Sequence, residues 1–250
     1  MPMLKKFLPV WITGIFFLFC SRGQAQTREE FSGWTALFGS YKFNSKFGLH
    51  FEGQLRSTSG WEQLQTYILR FGINYYVKPN MMGTLGYAYI GHYRTIMDVS
   101  GWGPEQRIWE QFLLNKSFSF GGHASSIVNR FRLEQRFISQ SSIANDELVT
   151  DRYNFMQRFR YFARWIVPIQ KTDKFQTGPY TSLQDEVFFN VQHADVTTGH
   201  FFDQNRAYIS FGYRIAPSAD IEIGYLNQFI LGRNNNVSNN IIQFATYLRL

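Results

Sequence analysis

Apolar and polar side chains alternate residue by residue along several segments of this chain. In the segment 125–137, for example, Phe131 and Leu133 alternate with Arg132. Because successive side chains of a β-strand point to opposite faces, this pattern predicts strands with one apolar and one polar face, whereas a helix requires spacings of three and four. The clearest segments are Phe47–Arg56, Ser125–Phe137, Tyr153–Trp165 and Arg206–Ile215.

Weaker alternation adds seven further segments, which brings the number of candidate strands to eleven. The seven are Trp34–Phe43, Tyr67–Val77, Leu85–Tyr93, Ile108–Phe120, Leu183–Val191, Ile221–Leu231 and Ile241–Leu250. Each is about as long as the ~9–11 residues that a tilted strand needs to cross a membrane. Single-chain bacterial barrels have an even number of strands, so we predict twelve strands, with ten as the alternative. A twelfth strand would lie in the stretch 26–43.

The links between the candidate strands alternate in length. Short turns are predicted at Asn44–Lys46, Lys78–Met81, Gly121–Gly122 and Ala216–Ala219, and longer polar links at Arg94–Glu105, Ile138–Arg152, Gln192–Asp203 and Gly232–Asn239. Short turns on one rim and long loops on the other are typical of outer-membrane barrels, in which the short turns are periplasmic. The link Gln170–Gly178 departs from this pattern.

A membrane barrel points the apolar face of its strands outward, whereas a soluble protein points the polar face outward. Aromatic residues are abundant, with 26 Phe, 14 Tyr and 6 Trp, and rings such as Tyr67 and Tyr153 lie near the ends of predicted strands, as an interfacial girdle requires. A barrel of this size is too wide for side chains alone to fill, so its interior should be polar. We therefore predict an all-β, transmembrane antiparallel β-barrel. A soluble periplasmic β-sandwich is the alternative.

The start of the chain has the features of a secretory signal peptide. Two lysines precede the short apolar run Phe7–Cys20, and small residues follow at the two positions that signal peptidase inspects. We predict a signal peptide over residues 1–25, cleavage before Gln26, and one barrel domain over residues 26–250. An uncleaved anchor is the alternative. An exported chain of this kind is expected in the cell outer membrane.

Arginine outnumbers acidic residues on the polar faces of the predicted strands, and in a barrel these faces line the interior. Two roles are open: the arginines brace the interior through pairs with glutamates, or they line a narrow passage that prefers anions. A set of basic residues inside a barrel offers nothing that reads a nucleic-acid groove, so we predict no nucleic-acid partner. The predicted interior residues are Arg56, Arg70, Arg130, Arg132, Glu134, Arg136, Arg158, Arg160, Arg164, Arg206, Arg214 and Arg249.

One group of residues suggests an enzyme. His123, Ser125 and Asn129 lie on one face of a predicted strand and resemble the His-x-Ser pair of outer-membrane phospholipases, in which the His activates the Ser and an Asn orients the His. The residues after Ser125 depart from that motif. The sequence therefore favours a barrel without catalytic residues, and a phospholipase-like hydrolase stays as the alternative function.

The remaining titratable residues give little sign of a metal or cofactor. His193, Asp195 and His200 lie in one predicted loop, but two histidines and one carboxylate in a loop are a weak signal for a metal site. The chain has no P-loop, dinucleotide fingerprint or zinc signature. We predict no metal and no cofactor.

Four segments resemble a family of outer-membrane proteins of Gram-negative bacteria known as domain of unknown function 2490. They are Arg130–Phe137, Arg158–Trp165, the early tryptophan strand Trp34–Phe43 and the late segment Phe202–Arg206. The resemblance covers nearly the whole chain after residue 25 and implies an outer-membrane barrel. It implies no catalytic residue and no substrate.

The final residues bear on the partners of such a barrel. Tyr247–Leu250 ends an alternating strand with aromatic and apolar residues, and this ending is similar to the signal read by the barrel-insertion machinery. We therefore expect a monomer that contacts the insertion machinery during assembly and outer-membrane lipid and lipopolysaccharide afterwards.

Overall fold

The computed structural model describes residues 26–250, which form eleven β-strands and two 3-10 helices of three residues each. The strands are β1 (Thr27–Lys42), β2 (Phe47–Ser57), β3 (Leu64–Lys78), β4 (Met81–Ile96), β5 (Val99–Phe120), β6 (His123–Ala144), β7 (Glu147–Pro168), β8 (Gly178–Gln192), β9 (Phe202–Ala216), β10 (Ala219–Ile230) and β11 (Asn236–Arg249). The predicted signal peptide lies outside the described residues. Among residues 26–250, no helix is long and apolar enough to cross a membrane.

The strands form one closed barrel, which confirms the all-β prediction. Strands that follow one another in sequence pair antiparallel, and β1 closes the barrel by pairing parallel with β11, from Thr27 opposite Asn236 to Ser40 opposite Arg249. The prediction of twelve strands, like its alternative of ten, is wrong. With eleven strands the first and last run in the same direction, and their parallel pairing satisfies the backbone groups of both edges. The stretch 26–43 holds one 16-residue strand.

Two predicted long links are instead the paired ends of strands. β4 and β5 are joined by residues 97–98 alone, and β6 and β7 by residues 145–146 alone. The loop predictions at Arg94–Glu105 and Ile138–Arg152 are therefore wrong. Asn145 and Asp146 have φ angles of 52° and 62°, the left-handed conformation that a two-residue hairpin turn requires and that Asn and Asp tolerate. The polar strand ends can consequently pair up to the turn.

The strands point their apolar side chains outward and their polar side chains into the barrel. In β3, Leu69, Phe71 and Ile73 are 48%, 54% and 52% exposed, whereas Arg70 and Asn74 are 2% and 0% exposed. Large apolar side chains are exposed on the outer face of every strand. The alternation in the sequence thus separates an apolar exterior from a charged interior.

A glycine makes room for the largest fully buried side chain, Trp109 of β5. A Cβ atom on Gly86 of β4 would lie 2.4 Å from the Trp109 ring and 2.3 Å from the carbonyl oxygen of Phe71. The indole can pack against the neighbouring strand only because Gly86 has no side chain. Its ring centre lies 4.7 Å from the Cζ atom of Arg132 and 5.7 Å from that of Arg70, so the indole supports two interior guanidinium groups.

Candidate functional site

The barrel encloses a cavity of about 460 Å³, here called the central cavity, with a strongly basic wall. Eleven arginines and three carboxylates line it. The carboxylates are Glu52, Glu186 and Asp220. Because arginine keeps its charge in proteins, such a wall attracts anions into a space shielded from bulk water.

The structure places the twelve predicted interior residues as follows. Ten line the central cavity: Arg56, Arg70, Arg130, Arg132, Arg136, Arg158, Arg160, Arg164, Arg206 and Arg249. Glu134 is fully buried beside them, and the Arg214 Nε atom lies 2.8 Å from the Asp220 carboxylate. Sequence reasoning missed Arg107, which also lines the cavity, because this residue fell between the predicted link, which ended at Glu105, and the predicted strand, which began at Ile108. The spacing of Glu105, Arg107 and Trp109, which share the inner face of β5, is the signal that would have found it.

Glu134 of β6 is the centre of a brace across the barrel. Its carboxylate accepts hydrogen bonds from Arg158 at 2.8 and 3.1 Å and from Arg160 at 2.7 Å. The guanidinium groups of Arg70 and Arg107 lie 3.6 and 3.5 Å away. Four arginines from three strands therefore surround one fully buried carboxylate, which is the pairing that a buried charge requires.

Two further carboxylates tie other strands together. Glu186 of β8 accepts hydrogen bonds from Arg130 at 2.7 Å and from Arg160 at 2.7 and 3.0 Å. Glu222 of β10 pairs with Arg164. The Glu222 carboxylate also accepts hydrogen bonds from three tyrosine hydroxyl groups, those of Tyr180, Tyr208 and Tyr247, at 3.0, 2.9 and 3.3 Å.

Glu105 organises a partition between the central cavity and a second cavity of about 510 Å³. Its carboxylate accepts hydrogen bonds from Arg107 at 2.6 Å and from Arg136 at 2.6 and 3.1 Å, and it lies 3.0 Å from the His92 Nε2 atom. His92 and Arg136 line both cavities. The Glu105 cluster, here called the partition, thus lies where the two cavities adjoin.

Three of the arginines that line the central cavity have no carboxylate within 4.0 Å among residues 26–250. Each donates instead to the neutral side-chain oxygen of a glutamine. The pairs are Arg56–Gln54 at 2.6 and 3.1 Å, Arg132–Gln111 at 2.6 and 3.1 Å, and Arg206–Gln204 at 3.3 Å. A glutamine satisfies donors but leaves the positive charge uncompensated.

The phospholipase-like residues lie at the rim of the barrel that carries the β5–β6 turn. The Ser125 hydroxyl donates to the backbone oxygen of His123 at 3.2 Å, and the His123 Nδ1 atom lies 2.9 Å from the backbone oxygen of Pro168. Asn129 accepts a hydrogen bond from the Tyr161 hydroxyl at 2.8 Å. Among the described residues, no hydrogen bond joins the His123 ring to the Ser125 hydroxyl, the contact that would activate this serine.

The histidines of the β8–β9 link do not gather metal ligands. His193 adopts a left-handed conformation with φ of 51° before the short helix Ala194–Val196. In the described part of the chain, no group of three or more His, Cys, Asp or Glu residues is placed to hold a metal ion.

Fold and site together define a class: a closed, mostly antiparallel β-barrel whose interior is filled by arginine–carboxylate clusters. The chain belongs to the family described as Protein of unknown function (DUF2490), whose profile matches residues 31–239. The family resemblance seen in the sequence is therefore confirmed. No match was found among curated proteins or among solved structures.

Proposed function

We propose that the protein is a monomeric outer-membrane β-barrel that contains a narrow, anion-preferring passage. One observation carries the proposal: every strand exposes large apolar side chains on the outside, while arginines and carboxylates occupy the inside. Soluble monomers rarely expose apolar surface of this extent, whereas a bilayer stabilises it. Closure by the β1–β11 pair also fits a bilayer, because no strand edge is left unpaired in hydrocarbon.

The proposal includes the route and the surroundings of the barrel. Residues 1–25 act as a signal peptide that is cleaved before Gln26, and the barrel-insertion machinery assembles the exported chain. The exposed apolar belt then contacts lipid and lipopolysaccharide. Nucleic acid is not a partner, since the basic residues face the interior.

Anion preference rests on the wall of the central cavity. Eleven arginines and three carboxylates line the space, and four further carboxylates behind the wall, Glu105, Glu134, Asp203 and Glu222, pair with some of these arginines. The arginines still outnumber the carboxylates, and this excess gives the space a positive potential that favours anions and opposes cations. The second cavity continues from the first on the other side of the Glu105 cluster. The proposed passage consists of these two cavities, and its narrowest point is the partition at the Glu105 cluster.

A purely structural barrel is the second candidate, and the brace at Glu134 favours it. Glu134 is fully buried and Arg132 is 1% exposed, so the middle of the barrel is densely packed. A structural barrel would carry no current.

Planar-bilayer recording of the refolded chain under a KCl gradient separates the two candidates. We expect a current whose reversal potential favours Cl⁻, and a shift toward K⁺ when Arg56 and Arg206 are both replaced by glutamate. Neither arginine pairs with a carboxylate, so the double change leaves the clusters at Glu134 and Glu186 intact. Arg152→Glu is the control, because Arg152 is exposed on the β6–β7 hairpin. Absence of current, or a current with no ion preference, would overturn the passage.

The partition gives a second prediction for the same recordings. Arg136→Ala removes most of a side chain that lines both cavities. Glu105 stays paired with Arg107 and near His92. We expect the unit conductance to rise several-fold because the narrowest layer widens. An unchanged conductance would show that the Glu105 cluster does not limit the flow.

A further inference from the structure

Two guanidinium groups lie against one tryptophan ring in the central cavity. The Cζ atom of Arg56 lies 3.8 Å from the centre of the Trp34 ring, and that of Arg206 lies 5.1 Å from it. Trp34 is 6% exposed and Arg206 is 9% exposed, and Arg56 is half-buried. All three side chains line the cavity.

Neither guanidinium group has its charge compensated by a carboxylate among the described residues. Arg56 donates through Nε and Nη2 to the Gln54 side-chain oxygen, and Arg206 donates through Nε to Gln204. Both terminal nitrogens of Arg206 are left without a hydrogen-bond partner in residues 26–250. Uncompensated charges of like sign are costly in a buried site, and contact with an indole offsets only part of that cost.

The neighbouring carboxylates are already engaged with other arginines. Glu134 binds Arg158 and Arg160, and Glu186 binds Arg130 and Arg160. No carboxylate of the described chain therefore forms an ion pair with Arg56 or Arg206, and an oxyanion in the cavity would supply the ion pair that both arginines lack. The planar guanidinium group binds an oxyanion through two parallel hydrogen bonds, the geometry that carboxylates and phosphates offer.

Part of the cavity wall is apolar and accessible. Phe38, Leu113 and Val128 line the same cavity as Trp34, and all three are half-buried. A volume of about 460 Å³ lies within the range of small-molecule sites, which combine apolar walls with a few placed polar groups. Inorganic ions alone would leave this accessible apolar surface uncovered.

We propose that Trp34, Arg56 and Arg206 form a binding site for a small organic anion, whose carboxylate or phosphate group binds the two guanidinium groups and whose apolar part contacts the half-buried apolar side chains of the cavity wall. The inference rests on the proposed anion preference of the interior and names the class of solute. The site lies on the wall of the passage, so an anion of this class would pause there during transit.

Calorimetric titration of the refolded chain in non-ionic detergent tests the site. The probes are benzoate, phenyl phosphate, inorganic phosphate and the neutral benzyl alcohol. We expect saturable binding of benzoate or phenyl phosphate, with the tighter of the two identifying the oxyanion, and weaker binding of inorganic phosphate and benzyl alcohol. The bound anion should also raise the midpoint of thermal unfolding, because it binds only the folded barrel.

Two variants and a control locate the binding. Arg56→Gln and Arg206→Gln should each weaken binding by at least about tenfold, the value of one charge-assisted hydrogen bond. Both variants should unfold at or above the wild-type temperature without ligand, because each removes an uncompensated charge. Arg152→Gln, on the exposed hairpin, should bind as the wild type does. Equal affinity in all three variants, or no saturable binding by the wild type, would overturn the site.

The titration needs no current, so it separates this inference from the proposed passage. Binding without current would support the site and overturn the passage. An anion-selective current without binding of either organic anion would overturn the site and support the passage.

Discussion

Replacing Glu134 by glutamine is expected to lower the free energy of unfolding by about 3–5 kcal/mol, the cost of breaking a buried ion pair from one side. Glutamine keeps the shape of the side chain but removes the charge. Arg158 and Arg160 then each lose one of two charged acceptors, since Arg158 keeps Asp203 and Arg160 keeps Glu186. Arg70 and Arg107 each lose a second compensating charge, since Arg70 keeps Glu52 and Arg107 keeps Glu105. Urea unfolding of the chain refolded in lipid vesicles, followed by tryptophan fluorescence, measures the change.

Glu110→Gln is the matched control for this experiment. Glu110 lies on the outer face of the same barrel, where it is exposed and accepts hydrogen bonds from Gln135 at 3.1 and 3.4 Å. Glutamine keeps an acceptor oxygen for Gln135 and removes a charge from the face that is proposed to meet lipid, so the control should not lose stability. Equal losses in the two variants would show that the Glu134 cluster does not brace the barrel.

The alternation of side chains predicted every strand because the two faces of each strand meet different surroundings. Eleven candidate segments overlap the eleven strands. The error came from imposing an even number on a correct count. Closure depends on whether the first and last strands can pair, and the parallel register of Thr27 with Asn236 is a long-range property that no local pattern contains.

The predictions from the sequence were wrong where the apolar face of a strand ends. In the hairpin tips near Asn145 and Met97, both faces of the strands are polar or exposed, so the period of two disappears although the backbone pairing continues. These tips looked like loops, so Glu105 was placed in a link and Arg107 was left outside the predicted strand that began at Ile108. Neither residue therefore entered the candidate site. The turn residues Asn145 and Asp146 were the available signal for a hairpin.

Inward-facing residues could be predicted from the sequence, but their partners could not. Arg158 binds both Glu134 and Asp203, which lie 24 and 45 residues away along the chain. Such pairs depend on which strands face each other across the barrel. The three arginines that bind only glutamine are therefore a property of the closed structure, and the excess of arginine along the chain does not indicate which ones they are.

Phe71→Arg tests the second half of the proposal, that the outer face meets lipid. Phe71 lies at the middle of β3, is 54% exposed, and stands between Phe51 and Tyr87 on the neighbouring strands. An arginine on the lipid face near the bilayer midplane costs about 2–4 kcal/mol, so we expect a loss of this size for the chain folded in vesicles. Less of the variant should also reach the outer-membrane fraction of cells.

The control and the contradicting result depend on whether the outer face at Phe71 meets lipid or water. Phe71→Leu keeps an apolar side chain and should insert and unfold nearly as the wild type does. In bulk water an arginine at an exposed position costs little, because its charge stays solvated. If Phe71→Arg is as stable as the wild type, and both remain in a periplasmic extract made without detergent, the apolar belt does not face lipid and the interior arginines line no membrane passage.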